Sequence, residues 1–63
     1  METYSVRERE LAFGEAQMYT NRSESPAVLL WHRGYGIYIF TDDPEFETTF
    51  PGTDLVELFT PEE

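Results

Sequence analysis

The chain has 63 residues, no cysteine and a formal net charge of -9, which arises from 13 acidic residues against four arginines. A chain this short buries only about 60 % of the surface that it exposes when unfolded. We therefore expect at most one domain, over residues 1–63. Without cysteine it has neither disulfides nor a thiolate zinc site, and we expect a core of its ten aromatic residues to stabilise it alone.

The sequence also indicates in which compartment the protein acts and which classes of ligand it does not bind. The first residues lack the basic start and apolar run of a signal peptide, so we expect a cytoplasmic protein. The apolar runs at 27–31 and 36–40 are far shorter than the roughly 20 residues that cross a bilayer. A strongly negative surface is repelled by anionic lipid and by nucleic acid, so we expect neither membrane binding nor direct nucleic-acid binding.

The N-terminal third favours a helix. Ser5 and Glu8 have the spacing of a capping box, in which each side chain bonds the other residue's backbone N–H. A helix from about Val6 to Tyr19 would follow, although Gly14 costs about 1 kcal/mol in its middle. A strand over 12–19 is the alternative.

The central part predicts a β-hairpin. Residues 20–26 are polar and rich in turn formers, which is typical of a loop. Apolar and β-branched residues then indicate strands at 27–33 and 37–41, joined by a turn at 34–36. Because both faces of these strands carry large apolar groups, we expect them to be central and covered on both sides, or to cover a partner.

The C-terminal part contains one ambiguous segment and one strand. Asp42, Asp43 and Pro44 suit the start of a short helix at 44–49, but Phe46, Thr48 and Phe50 also alternate as in a strand. A turn at 51–52 and a strand at 54–60 follow. The sequence therefore predicts an α+β fold, with a small antiparallel sheet built on the 27–41 hairpin and the C-terminal strand, and an N-terminal helix. An all-β fold is the alternative.

No catalytic or metal constellation is apparent. His32 is the only histidine and lies in an apolar strand, where a structural or turn-adjacent role is expected. The acids after residue 41 lack the glycine and distant glutamate of a calcium loop, and no glycine-rich phosphate loop is present. We therefore predict that the protein is not an enzyme, needs no cofactor or metal, and acts by binding.

The acids are concentrated in the second half of the chain. Residues 1–33 carry five acids and all four arginines, whereas residues 34–63 carry eight acids and no base. If 43–47 is extended, alternate side chains project from one face about 6.7 Å apart, comparable to neighbouring phosphates. The alternative is that the acids only keep a small protein soluble. The predicted contact set comprises Asp42, Asp43, Glu45, Glu47, Asp54 and Glu57.

A small, cysteine-free, acidic domain with the row Asp42, Asp43, Glu45, Glu47 resembles the phage-encoded inhibitors of bacterial defence, above all the anti-CRISPR proteins. Many of these mimic DNA. The resemblance implies an inhibitor that blocks DNA or PAM recognition by an effector complex. We thus expect a nucleic-acid-binding protein or complex as partner, and a monomer or small homo-oligomer. The alternative is an antitoxin-like or subunit-like interaction module without nucleic-acid mimicry.

Overall fold

The computed structural model describes residues 2–62, which form a four-stranded antiparallel sheet with a long helix on one face. The α+β prediction is confirmed, and the all-β alternative is wrong. In chain order the elements are β1 (Glu2–Ser5), a 3-10 turn (Val6–Glu8), α1 (Arg9–Ser23), β2 (Ala27–His32), β3 (Ile37–Thr41), α2 (Phe46–Thr49) and β4 (Thr53–Phe59).

The predicted hairpin is the centre of the sheet. The strand order is β1-β3-β2-β4, so β2 and β3 each have a neighbour on both sides. The turn between them is closed by a 2.8 Å bond from the Gly36 N–H to the His32 carbonyl, and Gly36 has a φ of 64°. Glycine adopts this left-handed backbone conformation without the steric cost of a Cβ atom.

The helix α1 contacts the sheet through small side chains. Its buried residues are Ala12, Ala16 and Thr20, which recur every four residues and so form one row along the helix. Their small size lets the helix approach the sheet closely, over a cluster that includes Leu29 and Phe40. Phe13 also packs against this cluster, from beside the row. Because the row itself consists of small side chains, the apolar stripe of the helix is weak in the sequence.

The opposite face of the sheet is covered by α2 alone. Val28, Leu30 and Ile39 are buried there, and Phe46 and Phe50 from the α2 segment pack against them. The expectation that the central strands are covered on both faces is therefore confirmed. The cover on this second side is much smaller, because α2 has only four residues.

The largest differences from the predictions are at the N-terminus. The α-helix begins at Arg9 and continues to Ser23, four residues beyond the predicted end. It is preceded by a 3-10 turn, at which the Ser5 N–H donates to Glu8 Oε1 over 3.0 Å. The strand β1 was not predicted, because a four-residue edge strand with one buried side chain, Tyr4, carries almost no sequence pattern.

Candidate acidic binding surface

The segment that follows β3 is folded rather than extended. The Asp43 N–H donates to Thr41 Oγ1 over 3.1 Å, and Asp43 Oδ1 accepts a 2.8 Å bond from the Glu45 N–H. Asp43 Oδ2 accepts a second bond, of 2.7 Å, from the Thr49 hydroxyl group. These bonds hold the chain in a turn that leads into α2. Of the two conformations left open for this segment, the short helix is correct, although it begins at Phe46 rather than at residue 44, and the extended row over 43–47 is not formed.

The carboxylate of Asp43 consequently has a structural role. The Thr49 hydroxyl group and the Glu45 N–H both stabilise its charged form, which lowers the pKa of Asp43. Its two oxygens are engaged within the segment, whereas Glu45 and Glu47 are exposed to solvent. A partner would therefore meet Glu45 and Glu47 more readily than Asp43.

The two predicted contact residues on β4 lie apart from this segment. Asp54 is opposite Trp31, near the hairpin turn, and its Oδ2 lies 3.3 Å from Nε of Arg33. Both side chains are exposed, so we expect the ion pair to contribute little to stability. Glu57 is exposed in the middle of the strand, opposite Leu29. The six predicted acids therefore do not form one continuous row.

The fold instead brings two acids from the N-terminal half next to Asp42. Because β1 is antiparallel to β3, Glu2 pairs with Phe40 and lies at the same end of the sheet as Asp42. Glu15 of α1 faces the same region, and a cavity of about 170 Å³ lies between them. We call this the acidic pocket; its lining residues are Glu2, Glu15, Tyr19, Arg22, Phe40, Thr41 and Asp42.

Two tyrosine hydroxyl groups position these carboxylates. The Tyr4 hydroxyl oxygen lies 2.6 Å from Glu2 Oε2 and 3.1 Å from Glu15 Oε2, so a single phenol connects acids from two elements. The Tyr19 hydroxyl group donates to Asp42 Oδ2 over 3.2 Å, and this bond raises the pKa of Tyr19. At neutral pH both phenols are therefore donors that hold acidic side chains in place.

The acidic pocket could not be read from the sequence in advance. Glu2 and Glu15 lie in the half of the chain that is nearly neutral by count, and they reach Asp42 only through the β1–β3 pairing. The available signal was the alternation of Glu2 and Tyr4, whose side chains share one face of β1. A strand assignment at 2–5 would have been needed to use it.

The predicted structural role of His32 agrees with its surroundings. Its Nδ1 accepts a 3.1 Å hydrogen bond from the Tyr35 N–H, and the two rings are 4.7 Å apart. Within residues 2–62, no group of three or more histidine, cysteine or acidic side chains is arranged to hold a metal ion. Over the same residues, no helix is both long and apolar enough to span a membrane.

Comparison of the chain with protein-family models, with curated proteins and with solved structures finds no match.

Proposed function

We propose that this protein is a stoichiometric inhibitor that binds the nucleic-acid-binding surface of a cytoplasmic protein or complex, with its carboxylates in place of phosphates. The observation that carries the proposal is the acidic pocket, where Glu2 of β1, Glu15 of α1 and Asp42 of the loop after β3 line one cavity with a single cation, Arg22. Three carboxylates gathered around one cavity suit the guanidinium and ammonium groups that proteins use to hold phosphates.

The order of this surface also supports the proposal. Carboxylates that only confer solubility need no fixed position. Here Asp42 accepts a hydrogen bond from Tyr19, and Glu2 and Glu15 lie within hydrogen-bond distance of the one Tyr4 hydroxyl group, whose single proton they share. Groups that are already ordered lose less side-chain entropy when a partner binds. The exposed Glu45 and Glu47 extend the negative surface away from Asp42 along the chain, and the sequence between Asp42 and Glu47 contains no basic residue.

The resemblance to anti-CRISPR proteins suggests the most specific form of the proposal. In that form the partner is an effector complex, and the protein prevents it from recognising DNA or the PAM. The acids would then pair with arginine and lysine side chains of the effector, and binding would exclude DNA from the same site. Such contacts weaken steeply as salt concentration rises.

A second candidate function has an observation in its favour. Leu55 and Leu58 are each 56 % exposed on β4, which suits an antitoxin-like or subunit-like module that binds through apolar contacts. Salt separates the two functions, because apolar contacts do not weaken with ionic strength as charge pairs do.

A charge-reversal triplet tests the proposal. The triplet consists of Glu15→Lys, Glu45→Lys and Glu47→Lys. It keeps the contact of Glu2 with the Tyr4 hydroxyl group and the hydrogen bonds of Asp43 in the turn before α2, so the fold should persist. The control triplet Glu10→Lys, Glu24→Lys and Glu62→Lys changes the net charge equally, at exposed positions outside the lining of the acidic pocket. Immobilised wild-type and variant proteins would capture partners from host lysate at low salt, followed by elution with duplex DNA.

We expect the wild-type and control proteins to capture the same partner, and DNA to release it. The first triplet should capture less than about a tenth as much, because each reversed charge repels a cation of the partner. If that triplet captures the wild-type amount, or if partner and DNA bind together without competition, the mimicry proposal is refuted.

A further inference from the structure

The strand β4 places two large apolar side chains in solvent on the face opposite α1. Leu55 pairs with Leu30, and Leu58 pairs with Val28, whose side chains are both buried on that face. An irregularity in the β2–β4 register, typical of a β-bulge, places these two leucines on the same face although they are three residues apart. In a regular strand, residues three apart would point to opposite faces.

A cavity of about 170 Å³ adjoins Leu58 on this face. Its walls come from the start of β2 and from the segment that leads into α2. Most of the lining is apolar, and Asp42 and Asp43 lie at one side. The full lining is Pro26, Ala27, Val28, Thr41, Asp42, Asp43, Pro44, Phe46 and Leu58. We call this cavity, together with Leu55 and Leu58, the leucine surface.

The segment between β3 and β4, which forms one wall of this cavity, carries only acidic charges. From Asp42 to Phe59, every charged residue is an acid. The nearest cation in sequence is Arg33, which pairs with Asp54. A partner segment that carries acids would be repelled here, whereas one that combines apolar side chains with arginine or lysine would be complementary in both respects.

We propose that the leucine surface docks a basic amphipathic segment of a protein partner. Apolar side chains of the segment pack on Leu55 and Leu58, and one enters the cavity beside Leu58. An arginine or lysine can line the same cavity with its aliphatic stem while its charged head reaches Asp42. The inference rests on the proposed function, since such a segment is expected on the basic face of a nucleic-acid-binding protein.

Two other ways of covering this surface fit less well. A second copy of the chain would bring two negatively charged surfaces together, and like charges across an interface are unfavourable. Addition of a strand to the free edge of β4 is opposed by the register irregularity and by the charged Asp54 and Glu57, which are features that protect sheet edges from pairing. We therefore place the partner segment on the face of the sheet rather than along its edge.

Short synthetic peptides test the inference on the intact protein. The first alternates leucine and arginine; in the second, serine replaces each leucine; in the third, glutamate replaces each arginine. Amide chemical shifts of the labelled protein locate each peptide, and titrations give its affinity. The variant Leu55→Ser with Leu58→Ser removes the surface, and Leu11→Ser with Met18→Ser is the matched control, because those side chains are 49 % and 61 % exposed on α1.

We expect the leucine–arginine peptide to shift the amides of Leu55, Leu58 and Phe46, and to bind at least about tenfold more tightly than either other peptide. The double serine variant on β4 should bind all three peptides with similar affinity, whereas the variant on α1 should still prefer the leucine–arginine peptide. If the β4 variant does not fold, the shifts and the peptide ranking on the wild-type protein decide the outcome.

Three results would overturn the inference. Equal binding of the serine–arginine peptide would mean that charge alone acts. Equal binding of the leucine–glutamate peptide would mean a purely apolar surface. Sedimentation that reveals a dimer, lost in the β4 variant, would mean that a second copy covers the surface. Failure of the proposed function appears separately, as the absence of competition between DNA and a captured partner.

Discussion

Tyr4 connects the packing of the core to the arrangement of the acidic pocket. Its ring is buried beneath α1, while its hydroxyl group reaches Glu2 and Glu15 at the surface. Burial of the phenol and its bonds to these two carboxylates raise the pKa of Tyr4 well above its usual value. A neutral donor is thus maintained between two negative charges, which lets acids from β1 and α1 lie close together.

This arrangement predicts a loss of stability at high pH. Because the pKa is raised in the folded state, the contribution of Tyr4 is complete below the usual tyrosine pKa of about 10 and is lost as pH rises beyond it. Tyr4→Phe should lower the free energy of unfolding by about 1 kcal/mol at neutral pH. This difference in the free energy of unfolding should shrink and then change sign above about pH 10. Urea unfolding from pH 7 to about 11 measures it.

Tyr35→Phe is the control, because the Tyr35 side chain is 79 % exposed. It should retain the pH dependence of the wild-type protein. A constant difference between Tyr4→Phe and wild type across the whole pH range would contradict the role assigned to the Tyr4 hydroxyl group.

Two glycines in different elements should respond oppositely to alanine. Gly14 lies in the middle of α1, and an added Cβ atom would meet nothing within 4 Å, so Gly14→Ala should stabilise the protein by about 0.5–1 kcal/mol. Gly52 has a φ of 80° in the turn before β4, where a side chain is strained. Gly52→Ala should therefore destabilise by about 1–2 kcal/mol. Thermal unfolding of both variants measures the difference; the same sign for both would contradict the backbone argument.

The accuracy of the sequence predictions followed the strength of the local pattern. The hairpin carries two apolar runs around a glycine-rich turn, and its strands were predicted to within one residue. The strand β4, bounded by Gly52 and Pro61, was predicted one residue late at each end. The end of α1 was missed because Thr20 looks like a loop residue, yet it is buried and donates to the Ala16 carbonyl over 2.7 Å.

The site was less predictable, because tertiary contacts decide it. Phe46 and Phe50 fit a helix and a strand equally well, and the bonds that Asp43 accepts from Glu45 and Thr49 favour the helix. The acids of the predicted contact set are real surface features, but their grouping depends on which strands pair. Only the β1–β3 register brings Glu2 to the same end of the sheet as Asp42.

The acidic pocket and the leucine surface share two residues. Thr41 and Asp42 line both cavities, at the point where the chain leaves β3. α1 covers one face of the sheet and the α2 segment packs on the other, and the two cavities meet at the loop that follows β3. A single partner that wraps around the loop after β3 would engage charges on one side and apolar groups on the other.

The charge of the whole molecule also predicts how salt affects its stability. A net charge of -9 on 63 residues opposes the compact state by self-repulsion, and salt screens that repulsion. We therefore expect the melting temperature to rise as sodium chloride increases from about 0.02 to 0.5 M. A stabilisation of about 1 kcal/mol corresponds to about 4–8 °C for a domain of this size. The measurement uses sodium chloride rather than a sulfate salt, because sulfate stabilises apolar burial whatever the charge of the protein.

The two charge-reversal triplets separate this general repulsion from the local acidic pocket. Each reduces the net negative charge equally, so general repulsion predicts the same flattening of the salt dependence in both. A larger effect of Glu15→Lys, Glu45→Lys and Glu47→Lys would locate the repulsion in the acidic pocket and the α2 segment together, because closely spaced carboxylates repel more strongly than scattered ones. A melting temperature that falls with sodium chloride in the wild-type protein would contradict both accounts. It would mean that attractive pairs such as Arg33 with Asp54 outweigh the excess of acids.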